Sequence, residues 1–193
     1  MRRAADVCTT LRIALAPLFA WAVMRAHDEV SLLPLIIYAV AAASDFVDGR
    51  LARATGSASI RGRLFDHGAD ALFLFPTLIV LAGLGRVSFV LPCAAMVAFA
   101  LYTLDGWRRG GSAGAIALLP SQWGALGGVS NYVVAGGAAV ALALGPTALD
   151  GVVFVAALLT AGANLVAAGE RVPALWRWWG DVERTLTSRI ERP

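Results

Sequence analysis

The chain has 193 residues, of which 59% are hydrophobic and 15% charged, and its mean hydropathy is +0.71. An ordinary soluble domain carries about a quarter charged residues and just under half apolar ones, so this composition excludes that class. The net charge is +3 and all 16 basic residues are arginine, which leaves no Schiff-base or phosphate-binding lysine and little support for nucleic-acid binding.

The length suits one domain, taken as residues 1–193. A bilayer core needs about 20 mostly apolar residues per helix. In chain order, the apolar runs predict transmembrane helices at 9–25, 31–53, 63–84, 87–107, 123–144 and 148–168. The first three reach spanning length only by taking charged residues into the helix. Arg2, Arg3 and the apolar run that follows imitate a signal peptide, but Arg12 before the run and the charges just after it fit a retained first helix. The tail at 172–193 mixes Trp176, Trp178 and Trp179 with arginines and acids, the composition of an amphipathic helix lying at the headgroup level. The expectation is an all-α polytopic membrane protein with six transmembrane helices and a C-terminal interfacial helix.

With six spans, both termini share a side. That side receives every arginine except Arg25 and Arg86, and enrichment of arginine in cytoplasmic segments predicts that both termini face the cytoplasm of a cell inner membrane. Cys8 and Cys93 lack metal-ligand spacing and are read as small apolar fillers. The glycines of the middle section, including Gly124, Gly127, Gly128, Gly136 and Gly137, suit close helix packing.

Ionisable residues inside a span are costly and mark functional sites by default. Asp45 and Asp48 fall at the end of the second predicted helix, Asp66 and Asp70 at the start of the third. Spacings of three and four put each pair on one helical face, and the short polar connection between the helices lets all four carboxylates converge. Four carboxylates in low dielectric cannot all stay ionised without positive compensation. An oxygen-only donor set selects hard cations, so the expected cofactors are two Mg²⁺ or Mn²⁺ ions, the usual equipment for displacement at phosphorus. Gly49 and Ala52 share the face of Asp45 and Asp48, so a flat or bulky group can approach the backbone; Arg53 lies at its edge, able to neutralise a phosphate or pair with an acid.

The run Asp45-Phe46-Val47-Asp48-Gly49-Arg50-Leu51-Ala52-Arg53, eight residues, Gly62, three residues, Asp66, three residues and Asp70 resembles the signature of the CDP-alcohol phosphotransferase family at every position. The resemblance implies transfer of a phosphatidyl-type group from a CDP-diacylglycerol-like donor to the hydroxyl of a small polar alcohol, with release of CMP, in phospholipid biosynthesis. It implies Asp45, Asp48, Asp66 and Asp70 as metal ligands, Asp70 also as acceptor of the attacking hydroxyl's proton, and Gly49, Ala52, Arg53, Ser59 and Gly62 as substrate-binding positions. The stretch from Asp6 through Thr9 to Arg12 is similar to a family element reading Asn-x-x-Thr-x-x-Arg, with Asp6 in place of the asparagine and Thr9 at a substrate-binding position. A homodimer embedded among membrane lipids is implied by the same similarity alone.

Other polar residues leave alternatives open. Arg108 and Arg109 are read either as binding an acceptor phosphate or as topology markers. Relatives with phosphorylated acceptors often carry a basic residue after Ser-x-x-Gly, whereas Ser121-Gln122-Trp123-Gly124 is followed here by Ala125. Asn131 and Asn164 are read as hydrogen-bonding groups between helices, and His67 as an interfacial residue on a different helix face from Asp66 and Asp70. Glycerol 3-phosphate is the expected acceptor, with inositol, inositol phosphate or serine as alternatives. A cation transporter is the competing class, disfavoured because the acids gather at one edge and not at the membrane midplane.

Overall fold

The computed structural model describes the backbone at residues 2–26, 29–54, 60–110, 119, 121–145 and 148–190, and side chains at 10–26, 29–44, 46, 67–110, 119, 121–145 and 149–184. Its described elements are helices: α1 (Arg2–Arg25), α2 (Leu33–Ala54), α3 (Ile60–Gly83), α4 (Val90–Gly110), α5 (Gln122–Leu144), α6 (Ala148–Gly169) and α7 (Val172–Ile190). They match the predicted segments within a few residues except at the start, where α1 begins at Arg2 instead of residue 9. Hydropathy marks where a bilayer would begin, not where intrahelical hydrogen bonding begins, and the helix-compatible polar turn before residue 9 extends the same helix.

Among the described residues, three stretches are long and apolar enough to cross a membrane: Val90–Gly110, Gln122–Leu144 and Leu149–Arg184, the last running through α6 into α7. Two shorter apolar stretches among the described residues are Leu33–Ser44 of α2 and His67–Gly83 of α3.

The helices pack as a ring in the order α5, α6, α4, α3, α1, α2 and back to α5, with α7 against α4 and α6. Contacts between α3 and α5 divide the ring into two halves. One half, between α1, α2, α3 and α5, is filled by aromatic rings: Phe19 lies 5.5 Å from Phe73 and 6.2 Å from Tyr38, and Phe73 stacks on Tyr132 at 6.5 Å. Phe19 and Phe73 are fully buried, and the Tyr38 hydroxyl donates to the Tyr132 carbonyl at 2.7 Å. Tyr38 fits there because Gly136 has no side chain; a Cβ would sit 2.8 Å from the ring. Ala135, Ala138, Ala139 and Ala157 are buried where α5 meets its neighbours, the small-residue packing that lets helix backbones approach closely.

Contacts at the two ends fix an antiparallel arrangement. At one end Arg86, in the turn after α3, bonds Asp150 of α6 at 2.5 Å, and the Ser31 amide donates to the Leu142 carbonyl at 3.1 Å. The other end gathers the starts of α1, α3 and α5 and the finishes of α2, α4 and α6. There α7 keeps Leu175 buried, sets Trp178 edge-on to Trp107 of α4 at 5.9 Å, and leaves Trp176 and Trp179 exposed, the predicted amphipathic pattern. Cys93 is free and exposed, so it is not the core filler expected.

Candidate active site

The second half of the ring is hollow. Between α3, α4, α5 and α6 lies a cavity of about 450 Å³ whose walls include Asp70, Tyr102, Asn131, Tyr132, Asn164 and Arg171 alongside apolar Leu74, Phe75, Phe99 and Val129. Along α3 the lining runs from His67 to Phe75, about 12 Å of helix rise.

Asp70 is the one predicted metal ligand whose side chain lies among the described residues. Its Oδ1 accepts from Arg12 Nη1 and, at 2.7 Å, from Tyr132 Oη. Arg12 is fully buried while the Asp70 side chain keeps a quarter of its surface open. The sequence supplies this geometry because α1 packs on α3, and Tyr132 on α5 reaches across the ring between its halves. A buried guanidinium of this kind compensates the carboxylate beside it. Arg12 was read as a marker of membrane side; its placement shows a buried partner of Asp70.

Asp45, Asp48, Gly49, Ala52 and Arg53 lie on α2, Gly62 and Asp66 on α3, and Thr9 on α1, but their side chains fall outside the described residues, as does Ser59 altogether. Both α2 and α3 pack against α1. His67 corrects the sequence reading: it lines the same cavity as Asp70, edge-on to Tyr102 at 5.7 Å. A three-residue step turns a helix through about 300°, which brings the two side chains back within 60° of each other.

Arg108 and Arg109 do not line the cavity. Both bond the buried carboxylate of Asp105, about one turn back along α4: Arg108 Nη2 at 2.8 Å to Oδ1 and Arg109 Nε at 2.8 Å to Oδ2. The cation that does line it is Arg171, in the turn after α6 and 7% exposed. Its Nη1 donates to the Ala167 carbonyl at 2.7 Å and its guanidinium lies 4.9 Å from the centre of the Tyr102 ring. Among the described residues it pairs with no carboxylate. Sequence reading missed it because an arginine just past a span looks like any other cytoplasmic arginine.

Asn131 and Asn164 meet as expected, Asn164 Nδ2 donating to Asn131 Oδ1 at 3.1 Å and also to the Thr160 carbonyl at 3.1 Å. Their closeness depends on Gly127, where a Cβ would lie 2.6 Å from Asn164 Oδ1. Ser121 caps α5, its hydroxyl accepting from the Gly124 amide at 2.9 Å, which gives the Ser-x-x-Gly element a local structural reason.

These features define a helical bundle of membrane character with a carboxylate, a buried counter-cation and an uncommitted cation around one chamber. The family model for CDP-alcohol phosphatidyltransferase matches residues 2–166, and the chain belongs to that family. Over 77 residues it is 34% identical to "Cardiolipin synthase (CMP-forming)" of Streptomyces coelicolor, covering 38% of this chain and 36% of the relative. Over 168 residues it is 29% identical to "Probable phosphatidylglycerophosphate synthase" of Mycobacterium tuberculosis, covering 84% of this chain and 74% of the relative. The chain spans from 36% to 52% of the length of the first relatives it matches.

Proposed function

We propose that this chain is an integral-membrane transferase that moves a phosphatidyl group from a CDP-diacylglycerol-like donor to the hydroxyl of a phosphoglycerol acceptor, releasing CMP. In this reading the whole chain is one domain, α1–α6 cross the inner membrane, both termini face the cytoplasm and α7 lies along the surface. The fourteen-to-two division of arginines supports the orientation.

The observation that carries the reading is Asp70 of the signature opening, beside Tyr132, into a chamber whose other charged wall is Arg171. Asp70 takes the proton of the attacking hydroxyl; Arg12 and Tyr132 hold its carboxylate in place. Arg171 draws in the acceptor's phosphate, since a buried guanidinium without a carboxylate gains from an anion. The apolar walls keep bulk water from competing with the alcohol.

The donor set fits hard divalent cations: four carboxylates, spaced by three on α2 and by four on α3, with Asp70 open to the chamber. Asp45, Asp48, Asp66 and Asp70 would hold two Mg²⁺ or Mn²⁺ ions, with Gly49, Ala52, Arg53, Ser59, Gly62 and Thr9 around the CDP moiety. Such ions, when bound, neutralise the diphosphate and stabilise the leaving CMP.

The preferred acceptor is glycerol 3-phosphate, supported by Arg171 and by the relative that aligns with 84% of the chain. The cardiolipin synthase relative favours a second reading, in which the attacking hydroxyl belongs to the glycerol headgroup of phosphatidylglycerol. Purified protein incubated with CDP-diacylglycerol, Mn²⁺ and separate alcohols tests both. CMP released with glycerol 3-phosphate or with phosphatidylglycerol assigns the acceptor; absence of CMP with every alcohol rejects transferase chemistry.

A further inference from the structure

Asn131 and Asn164 are 6% and 4% exposed, and both contribute to the chamber wall. Their shared hydrogen bond uses the Oδ1 of Asn131, while the two N–H groups of Asn164 go to Asn131 Oδ1 and the Thr160 carbonyl. This leaves, among the described residues, the amide N–H groups of Asn131 and the Oδ1 of Asn164 without a protein hydrogen-bond partner. A clip between helices needs one bond and is satisfied by it. One remaining donor beside one remaining acceptor is what a single alcohol group requires, because a hydroxyl accepts one bond and gives another.

The position is as telling as the chemistry. Asn131 adjoins Tyr132, whose hydroxyl rests 2.7 Å from Asp70. Asn164 is three residues, about 4.5 Å of rise, from Ala167, whose carbonyl receives the Arg171 guanidinium. The pair thus shares the chamber with the carboxylate proposed to meet the attacking hydroxyl and the cation proposed to meet the phosphate, joined along the chain to a residue that contacts each. In a phosphoglycerol the carbon between those two ends carries the secondary hydroxyl.

We propose that Asn131 and Asn164 read that secondary hydroxyl, Asn131 donating to its oxygen and Asn164 accepting its proton, so that the site selects vicinal-diol phosphates. The inference rests on the phosphatidyl-transfer reading above. It applies equally to free glycerol 3-phosphate and to the headgroup of phosphatidylglycerol, which share the diol and the phosphate.

The test pairs each acceptor with its analogue lacking the secondary hydroxyl: glycerol 3-phosphate with 3-hydroxypropyl phosphate, and phosphatidylglycerol with phosphatidyl-1,3-propanediol. The arm that releases CMP identifies the source of the headgroup. In the unaltered protein kcat/KM for the diol exceeds that for its analogue by about 10-fold or more. Asn131→Ala and Asn164→Ala each lower kcat/KM for the diol by about 10-fold and leave the analogue's value within about 2-fold, so the preference collapses. An unaltered protein that shows no preference overturns the inference whether or not the variants fold. Variants that slow diol and analogue equally overturn it too, reducing the pair to a packing clip. CMP released with inositol or serine alone overturns it while leaving phosphatidyl transfer standing. No CMP with any alcohol removes the underlying transferase reading itself.

Discussion

Asp70 and Arg12 form a charge pair, and substitutions at the two ends of the chamber separate its part in stability from the part proposed for Asp70 in the chemistry. Asp70→Asn keeps the shape of the side chain but cannot take a proton, so CMP release falls by about 10²–10⁴-fold while Mn²⁺-dependent donor binding is largely retained. The same change takes one charged contact from buried Arg12, and the variant loses about 1–3 kcal/mol, read as an earlier unfolding transition in detergent. Near-normal turnover would remove Asp70 from the base role. Arg171→Gln acts differently: the acceptor KM rises by about 10–100-fold, the loss expected for charge-assisted bonds to a phosphate, with donor affinity unchanged. The four aspartates were legible in the sequence because ionisable groups inside apolar helices stand out against their surroundings. Tyr132, Asn131 and Asn164 lie in charge-free stretches, where a polar group gives the same kind of signal more quietly. That Arg12 meets Asp70, 58 positions away, depends on which helices adjoin, and no local pattern encodes this.

At the level of the helix, α5 presents two neighbouring glycines with opposite tolerances. Gly127→Ala drives a methyl group into Asn164 Oδ1 at 2.6 Å, and the shift needed to relieve it costs about 1–3 kcal/mol between α5 and α6. Gly128→Ala meets nothing within 4 Å, so thermal unfolding stays near that of the unaltered protein. Because Gly128 lines the chamber, Gly128→Leu keeps the fold but raises acceptor KM; unchanged acceptor kinetics would place the alcohol elsewhere. Hydropathy located the helices well because apolar runs of this length have few other uses. It left the start of α1 seven residues late and gave no hint that the glycine faces differ, since composition counts glycines without saying what each one touches. For Arg108 and Arg109, both readings overlooked Asp105, which stands at i−3 and i−4 and engages the two guanidinium groups on their own helix.

For the molecule as a whole, one half of the ring is filled by aromatic side chains and the other holds the chamber. EDTA should abolish CMP release, and Mn²⁺ or Mg²⁺ in excess should restore it; turnover that persists after chelation would dismiss the two-ion site. The ring order also differs from the order of synthesis. Helices α4 and α5 meet each other little and are joined chiefly through α6. A ribosome that has released only the first five helices has therefore built the solid half and an unclosed remainder. The chamber and its Arg171 come into being when the sixth helix joins the ring, so a nascent chain of five helices still lacks that wall.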